Sequence, residues 1–390
     1  RVEKIHGLLG CQSMHDFDLA AQRTKLAHVL GVAAADLPPL EPLDANDICS
    51  LREHVEDGLY NRHSDSYARL AKLSKLLTAG LAAKLAQNTL GAELAAGVTC
   101  AMEPHRAVKL SRKLAPSFLA ELSSHLSPTR AQPVLAALDP EVLVAVAQAL
   151  LDQQAYLTLA QFVASIDEST LVAVIELIRD DAALLEIGLL IERRDRLDDI
   201  LELLPEARRR GMLLAADREN AWPQTLALLG HLAKRVKGMM GDTIVDLGEE
   251  VFERVVVATR GHDLWQPLLQ TICHMKPTNR RTALAHSRLG DPQALRELVA
   301  AVAEHKLWNL LVQTWEVTPA SSVAMVFESM LEHPSYLAHL FTEAQQNDDS
   351  TAQLHAAVSS LPPPLRAAVA EAGQLQFSEV FFAVMGSEAS

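Results

Sequence analysis

Four acidic residues, Asp195, Asp198, Asp199 and Glu202, form the densest cluster of metal-ligand side chains in the sequence. Their i, i+3, i+4 and i+7 spacing puts all four on one face of a helix. Carboxylates gathered in this way suit a hard divalent cation such as Mg2+, which takes oxygen ligands. The neighbouring Arg193, Arg194, Arg196 and the run Arg208 to Arg210 support a second reading, a solvated and salt-bridged helix face.

The 15 histidines offer less. No His-Glu-x-x-His or His-x-His occurs, and the tightest groupings are Glu53-His54 with His63, His262-Asp263, Cys273-His274, and His333 with His339. His333 and His339 are six apart and fall on different helix faces, while the adjacent Cys273 and His274 cannot both face one core. Packing and surface roles are expected for all of them. The chain also lacks a Gly-x-Ser-x-Gly elbow, a Gly-x-x-x-x-Gly-Lys-Ser/Thr loop and a Gly-x-Gly-x-x-Gly turn, so no enzyme activity is expected. Lys237-Gly238-Met239-Met240-Gly241-Asp242 is a glycine-flanked basic segment with no strand before it. It reads as a turn, with Gly241 ending one helix and Asp242 capping the next. Arg208 to Arg210 and Asn279-Arg280-Arg281 fall at expected helix ends, where arginines satisfy terminal carbonyls; contact with phosphate or an acidic partner is the other reading. Cys11, Cys49, Cys100 and Cys273 stand far apart without a Cys-x-x-Cys pair, which predicts reduced thiols in a cytoplasmic protein rather than a zinc or disulfide framework.

The elements that must position these residues are helices. Hydrophobic residues make up 49% of the chain but aromatics only 4%, so its apolar content is mostly Ala, Leu and Val, which suits closely stacked helices. Strand alternation and hairpin turns are absent from the pattern. Imperfect repeats run from His105 to Leu204, with copies LAPSFLAEL (Leu114 to Leu122), LDPEVLVAV (Leu138 to Val146) and IDESTLVAV (Ile166 to Val174). Units of this size cannot bury an apolar face alone and must stack. Pro104, Pro116, Pro128 and Pro140 stand 12 residues apart, marking successive helix starts, because proline is tolerated in a first turn and poorly inside a helix. A weaker copy, LLTAGLAAK, covers Leu76 to Lys84.

Beyond Leu204-Pro205 the pattern changes. A helix start at Trp222-Pro223 and two amphipathic segments, Thr225 to Met240 and Thr243 to Thr259, precede a second repeat. Leu264-Trp265 and Leu307-Trp308 lie 43 residues apart and predict a helix-turn-helix unit of HEAT-like size, the tryptophans wedged between helices. The Phe-rich stretch Phe377 to Met385 reads as a terminal cap or, if exposed, a docking surface. Three parts follow: an irregular helical segment over 1–64, with a Pro-rich connector (Asp36 to Asp47) and a polar close (Asn61 to Ser66); a helical superhelix over 65–204; and a helical-repeat region over 205–390.

The Leu-x-Pro blocks at Leu114, Leu126 and Leu138, with turn acids Asp139 and Asp167, resemble the cytoplasmic N-terminal domain of MgtE-type magnesium transporters. The stretch Arg106 to Leu204, about a quarter of the chain, carries this resemblance; flagellar motor switch repeats are similar. The resemblance implies an all-α fold, a right-handed superhelical solenoid of short α-hairpins, in a bacterial protein with a regulatory or scaffolding role and weak Mg2+ sensing. The CBS pair and membrane helices of those transporters are not in this sequence, so transport is not expected.

A formal charge of −14 and a pI near 5.5 disfavour nucleic acid as a partner. The same balance disfavours an anionic membrane surface, unless a local basic patch acts. No apolar stretch reaches the length of a bilayer span, and the charged residues 1–9 lead into no signal-peptide core. The expected function is a cytoplasmic, non-enzymatic scaffold or regulator that presents the solenoid to a protein partner, with homo-oligomerisation open. The alternative is a sensor or carrier holding a divalent cation or a small apolar ligand. Its pocket would lie between repeats 66–204 and the C-terminal helices, with Met239, Met240, Met325 and Met330 as candidate lining.

Overall fold

The computed structural model describes residues 14–40, 42–163 and 165–373. Every regular element among them is helical, as the Ala/Leu-rich composition predicts. The chain forms two compact units, one over His15–Leu203 and one from Leu204 onward.

The first unit contains α1 (Met14–Leu30), α2 (Ala45–Ser74), α3 (Ala79–Leu85), α4 (Gly91–Cys100), α5 (Pro104–Ser111), α6 (Pro116–Ser123), α7 (Pro128–Leu135), α8 (Pro140–Asp152), α9 (Tyr156–Val163), α10 (Glu168–Leu177), α11 (Asp181–Leu190) and α12 (Arg194–Leu203). A capping box starts α2. The Asp44 carboxylate accepts from the Asn46 and Asp47 amides at 2.8 Å, and Asp47 accepts from the Asp44 amide at 3.1 Å. The polar stretch Asn61 to Ser66, expected to close the first segment, instead lies inside α2, since it contains neither Gly nor Pro to break the helix. The four regularly spaced prolines each open a helix, α5 through α8, as their spacing predicts.

Packing in this unit runs between next-but-one neighbours. Helix α4 packs on α2 and α6, α6 on α8, and α8 on α10; in a second row α3 packs on α5, α5 on α7, and α9 on α11. Two rows of alternating short helices are compatible with the expected stack of α-hairpins. An ionic clamp, with Lys25 and Arg52 buried and Glu192 partly exposed, ties α1 and α2 to the segment after α11. Glu192 meets Lys25 Nζ at 3.2 Å and accepts from both terminal nitrogens of Arg52, through Oε2 at 3.2 Å and through Oε1.

The second unit holds α13 (Glu206–Arg218), α14 (Trp222–His231), α15 (Lys234–Asp246), α16 (Glu249–Gly261), α17 (Trp265–His274), α18 (Pro277–Leu284), α19 (Pro292–His305), α20 (Trp308–Thr314), α21 (Ala320–Leu331), α22 (Pro334–Ala344), α23 (Asp348–Ser360) and a helical segment over 363–373. The 43-residue period is present, but its unit is three helices and begins earlier than the Trp265/Trp308 pair. Helices start at Glu206, Glu249 and Pro292, at Trp222, Trp265 and Trp308, and at Lys234, Pro277 and Ala320. Corresponding second helices stack, α14 on α17, α17 on α20, and α20 on α23. All three tryptophans are buried. The expected amphipathic segments Thr225 to Met240 and Thr243 to Thr259 are cut elsewhere. Leu232 turns to extended backbone (ψ 159°) and Gly248 takes φ +111°, so the breaks fall at Leu232-Ala233 and Leu247-Gly248.

One capping device precedes every aromatic helix start. Asn220 (φ +53°), Asp263 (φ +48°) and Lys306 (φ +55°) are left-handed, and the next amide in each case reaches back five residues. Ala221 donates to the Ala216 carbonyl at 2.8 Å, Leu264 to Thr259 at 3.0 Å, and Leu307 to Val302 at 2.9 Å. These are Schellman ends built without glycine. In the first unit Gln154 (φ +55°) repeats the device before Tyr156, with Ala155 donating to Leu150 at 2.9 Å.

The segment Lys237 to Asp242 is not a turn. It lies within α15, where Gly238 and Gly241 let α17 approach: a Cβ on Gly238 would sit 2.8 Å from the His274 carbonyl carbon and nearer still to its oxygen. Asp242 does not cap the next helix, α16; its carboxylate accepts from the Lys276 amide, at the start of α18, at 3.0 Å. The Phe-rich stretch Phe377 to Met385 lies outside the described residues.

Candidate functional site

Between the two helix rows of the first unit is a cavity of about 350 Å3, lined from Leu70 to Val174. It follows from side-chain size. Helices of 7 to 13 residues set Ala82, Ala83, Ala95, Ala107, Ala131 and Ala147 toward the gap between rows, and larger apolar side chains close most of the remainder. Five hydroxyls reach the wall, Ser74, Thr89, Thr99, Ser111 and Ser123. Four of them donate within their own helices, to the carbonyls of Ala71 (2.7 Å), Ala95 (2.8 Å), Val108 (2.9 Å) and Leu119 (2.8 Å) respectively. No ionisable side chain lines the cavity. The wall is therefore apolar, with hydroxyls as its only polar side chains.

Helix α4 separates this cavity from a polar cleft of about 410 Å3. Ala95, Val98, Thr99 and Met102 face the cavity, while Glu93, Gly97 and Cys100 face the cleft. Gly97 has no side chain because the Tyr67 ring lies across it; an added Cβ would come within 2.6 Å of Tyr67 Cε1. Arg130 stacks on the Tyr60 ring, 4.2 Å from its centroid, and donates to Asp57 Oδ1 at 2.6 Å. Burial pushes the Cys100 thiol up to about 11, against the opposing pull of Arg130, so it is a neutral thiol rather than a nucleophilic thiolate. Burial likewise lowers His28, with a further contribution from His125, and raises Glu56 despite Arg52 and a hydrogen bond to Ser127. Burial thus disfavours the charged form of each of these three groups, while Arg62, Arg130 and Glu93 also line the cleft.

The acidic quartet lies on α12, opposite the buried Leu197, Ile200 and Leu201. Asp195 accepts from Arg193 at 2.6 Å, which holds its carboxyl below the ordinary range, and Asp199 meets Arg196 at 3.3 Å. Arg196 also donates to the Ile166 carbonyl at 2.8 Å, and Asp198 and Glu202 have partners too. A different set of metal-type ligands comes together among the described residues. Asp263, Glu304 and His305, all exposed, bring their ligand atoms within 4.8 Å of one another. The 43-residue period is the signal that places these two helix ends together in successive repeats.

The expected methionine-lined pocket does not match the cavity. Met240 and Met330 are core residues of the second unit, while the cavity wall comes entirely from residues 70–174. The basic runs do satisfy carbonyls: Arg209 donates to Leu204, Arg210 to Asp246 at 3.1 Å, and Arg280 to Cys273 at 2.6 Å. Sequence reasoning missed both the cavity and the cleft, although the alanine-rich stretch Ala79 to Ala96 was the compositional trace of the former. No helix among the described residues is long and apolar enough to cross a membrane. No known protein family, curated protein or solved structure matches the chain.

Proposed function

We propose that the chain binds an uncharged apolar small molecule, or the apolar part of a larger one, within its first unit, as a non-enzymatic carrier or sensor. The supporting observation is the 350 Å3 cavity with no ionisable lining. Its volume falls in the range of roughly 300–1,000 Å3 usual for small-molecule sites. Protein interiors are close-packed, so an apolar space of this size leaves side-chain contacts unmade that an apolar ligand would supply. The cavity is the observation that favours carriage over the scaffold reading, in which the solenoid surface meets a protein partner.

Titration with the neutral fluorophore N-phenyl-1-naphthylamine tests this reading. Saturable emission enhancement is expected for the wild type. Leu143→Trp and Val146→Trp, which place bulk at the cavity wall, should suppress it, while Val257→Trp on an exposed helix face should not. Absence of saturable binding, or binding indifferent to the wall substitutions, overturns the proposal.

A further inference from the structure

Around the cavity mouth the chain reverses its overall charge. Residues 66–120 carry eight Lys and Arg against two Glu, within a protein whose net charge is −14. Two wall residues are also open to solvent, Leu73 (56% exposed) and Leu85 (40%), so the cavity opens where the end of α2 meets α3. Beside them stand Leu76 (81% exposed) and Leu81 (49%), whose side chains cover no core. Leu81 and Leu85 share one face of α3 with Lys84, and Lys72 lies one helical turn before Leu76. Helix α5, packed on α3, adds Lys109, and Lys113 follows it beside the wall residue Leu114. The two glutamates do not cancel this field. Glu103 is occupied by Lys75 at 2.7 Å, and Glu93 faces the polar cleft on the other side of α4. Arg112 pairs with Asp139 and Arg106 caps carbonyls of Ser74 and Leu77, whereas Arg69, Lys72, Lys84, Lys109 and Lys113 are all exposed and outside any described salt bridge.

We propose that this rim docks on the anionic surface of a lipid bilayer, seating Leu73, Leu76, Leu81 and Leu85 among the acyl chains with the lysines at the headgroups. Charge complementarity selects the occupant: cationic side chains around exposed leucines are the arrangement that binds anionic lipid interfaces. Docking would open the apolar cavity directly onto hydrocarbon. That the bilayer then supplies the cargo, an acyl chain or another membrane-dissolved molecule, rests on the ligand-binding reading above; docking itself does not.

Cosedimentation of the full chain with vesicles tests the proposal, using phosphatidylcholine alone and phosphatidylcholine mixed with phosphatidylglycerol. Binding is expected to the mixed vesicles only, and to be lost at high salt. Lys72→Glu with Lys84→Glu should weaken it roughly tenfold or more, and Leu76→Ser should weaken it without any change of charge. Unchanged far-ultraviolet circular dichroism and thermal midpoint in these variants without vesicles show that they fold, whether or not the chain binds the fluorophore. No binding to either vesicle, equal binding to both, or binding indifferent to any of the rim substitutions overturns the proposal. Capture of an acidic amphipathic peptide in place of the mixed vesicles would assign the rim to a protein partner instead.

Discussion

A methyl group has no room at Gly238, because the atoms it would meet are the backbone carbonyl of His274 on the facing helix. Backbone cannot rotate away, so Gly238→Ala must push α15 and α17 apart, at a cost of roughly 1–3 kcal/mol. Urea denaturation should show a lower midpoint at unchanged slope. Gly97→Ala meets a side chain, the Tyr67 ring, which can swing toward the polar cleft, so its loss should be smaller. Both glycines are visible in the sequence, yet nothing local distinguishes a helix crossing from a turn; that is why Lys237 to Asp242 reads as a turn. Glu192 makes the residue-scale argument for charge. Burial alone would raise its carboxyl, but the charges of Lys25 and Arg52 and their hydrogen bonds outweigh this and hold it below the usual range. A depressed carboxylate contributes stability above its unfolded pKa of about 4.3 and loses that contribution as pH falls through the lower folded value. Glu192→Gln, which removes the carboxylate shared by Lys25 and Arg52 while Arg52 keeps Glu56 at 3.7 Å, should therefore cost roughly 1–3 kcal/mol at neutral pH, reduced from a fully buried pair by partial exposure. The deficit relative to wild type should shrink as a denaturation series moves below pH ~4; a pH-independent deficit would assign the loss to packing.

Helix starts and helix ends differ in how openly they are written. The starts at Pro104, Pro116, Pro128 and Pro140 can be read from the 12-residue spacing of prolines, whose fixed φ and missing amide suit the first turn best; Pro133, off that spacing, lies inside α7. The ends before Trp222, Trp265 and Trp308 cannot, because the left-handed positions hold Asn220, Asp263 and Lys306 where glycine would have announced them. Hence the first copy of the 43-residue unit is hidden, although Trp222 has the same cap and the same burial as its two counterparts. A side chain in the left-handed region carries a steric penalty that glycine does not. Lys306→Gly should accordingly raise stability by about 1 kcal/mol, and Asn220→Gly by less, because asparagine tolerates this conformation better. Guanidinium denaturation of the two variants checks the ranking. A loss at Lys306→Gly would mean that the lysine side chain contributes more to the α19–α20 junction than its backbone strain costs.

For the molecule as a whole, helical repetition was legible and the cavity within it was not. Periodicity reports which residues face inward, and it does so for α5 through α8; it does not report how far apart the inward faces stand. That distance depends on the sum of opposing side-chain volumes across two rows, and the run from Ala79 to Ala96 undersupplies it. Net charge hid the rim in a similar way, averaging a basic stretch of 55 residues into an acidic chain. The cavity predicts a spatial pattern of stabilisation. A ligand present at about 100 times its Kd adds about 2.7 kcal/mol to every opening that destroys its site and nothing to openings that leave the site intact. Hydrogen exchange with saturating N-phenyl-1-naphthylamine should therefore slow first in α3 through α8, whose residues form the wall, and less in α1, which contributes none. Leu143→Trp should erase that pattern while preserving the exchange profile of the unliganded chain. Slowing centred instead on residues 206–360 would place the receptor among the three-helix repeats and remove the cavity from the mechanism.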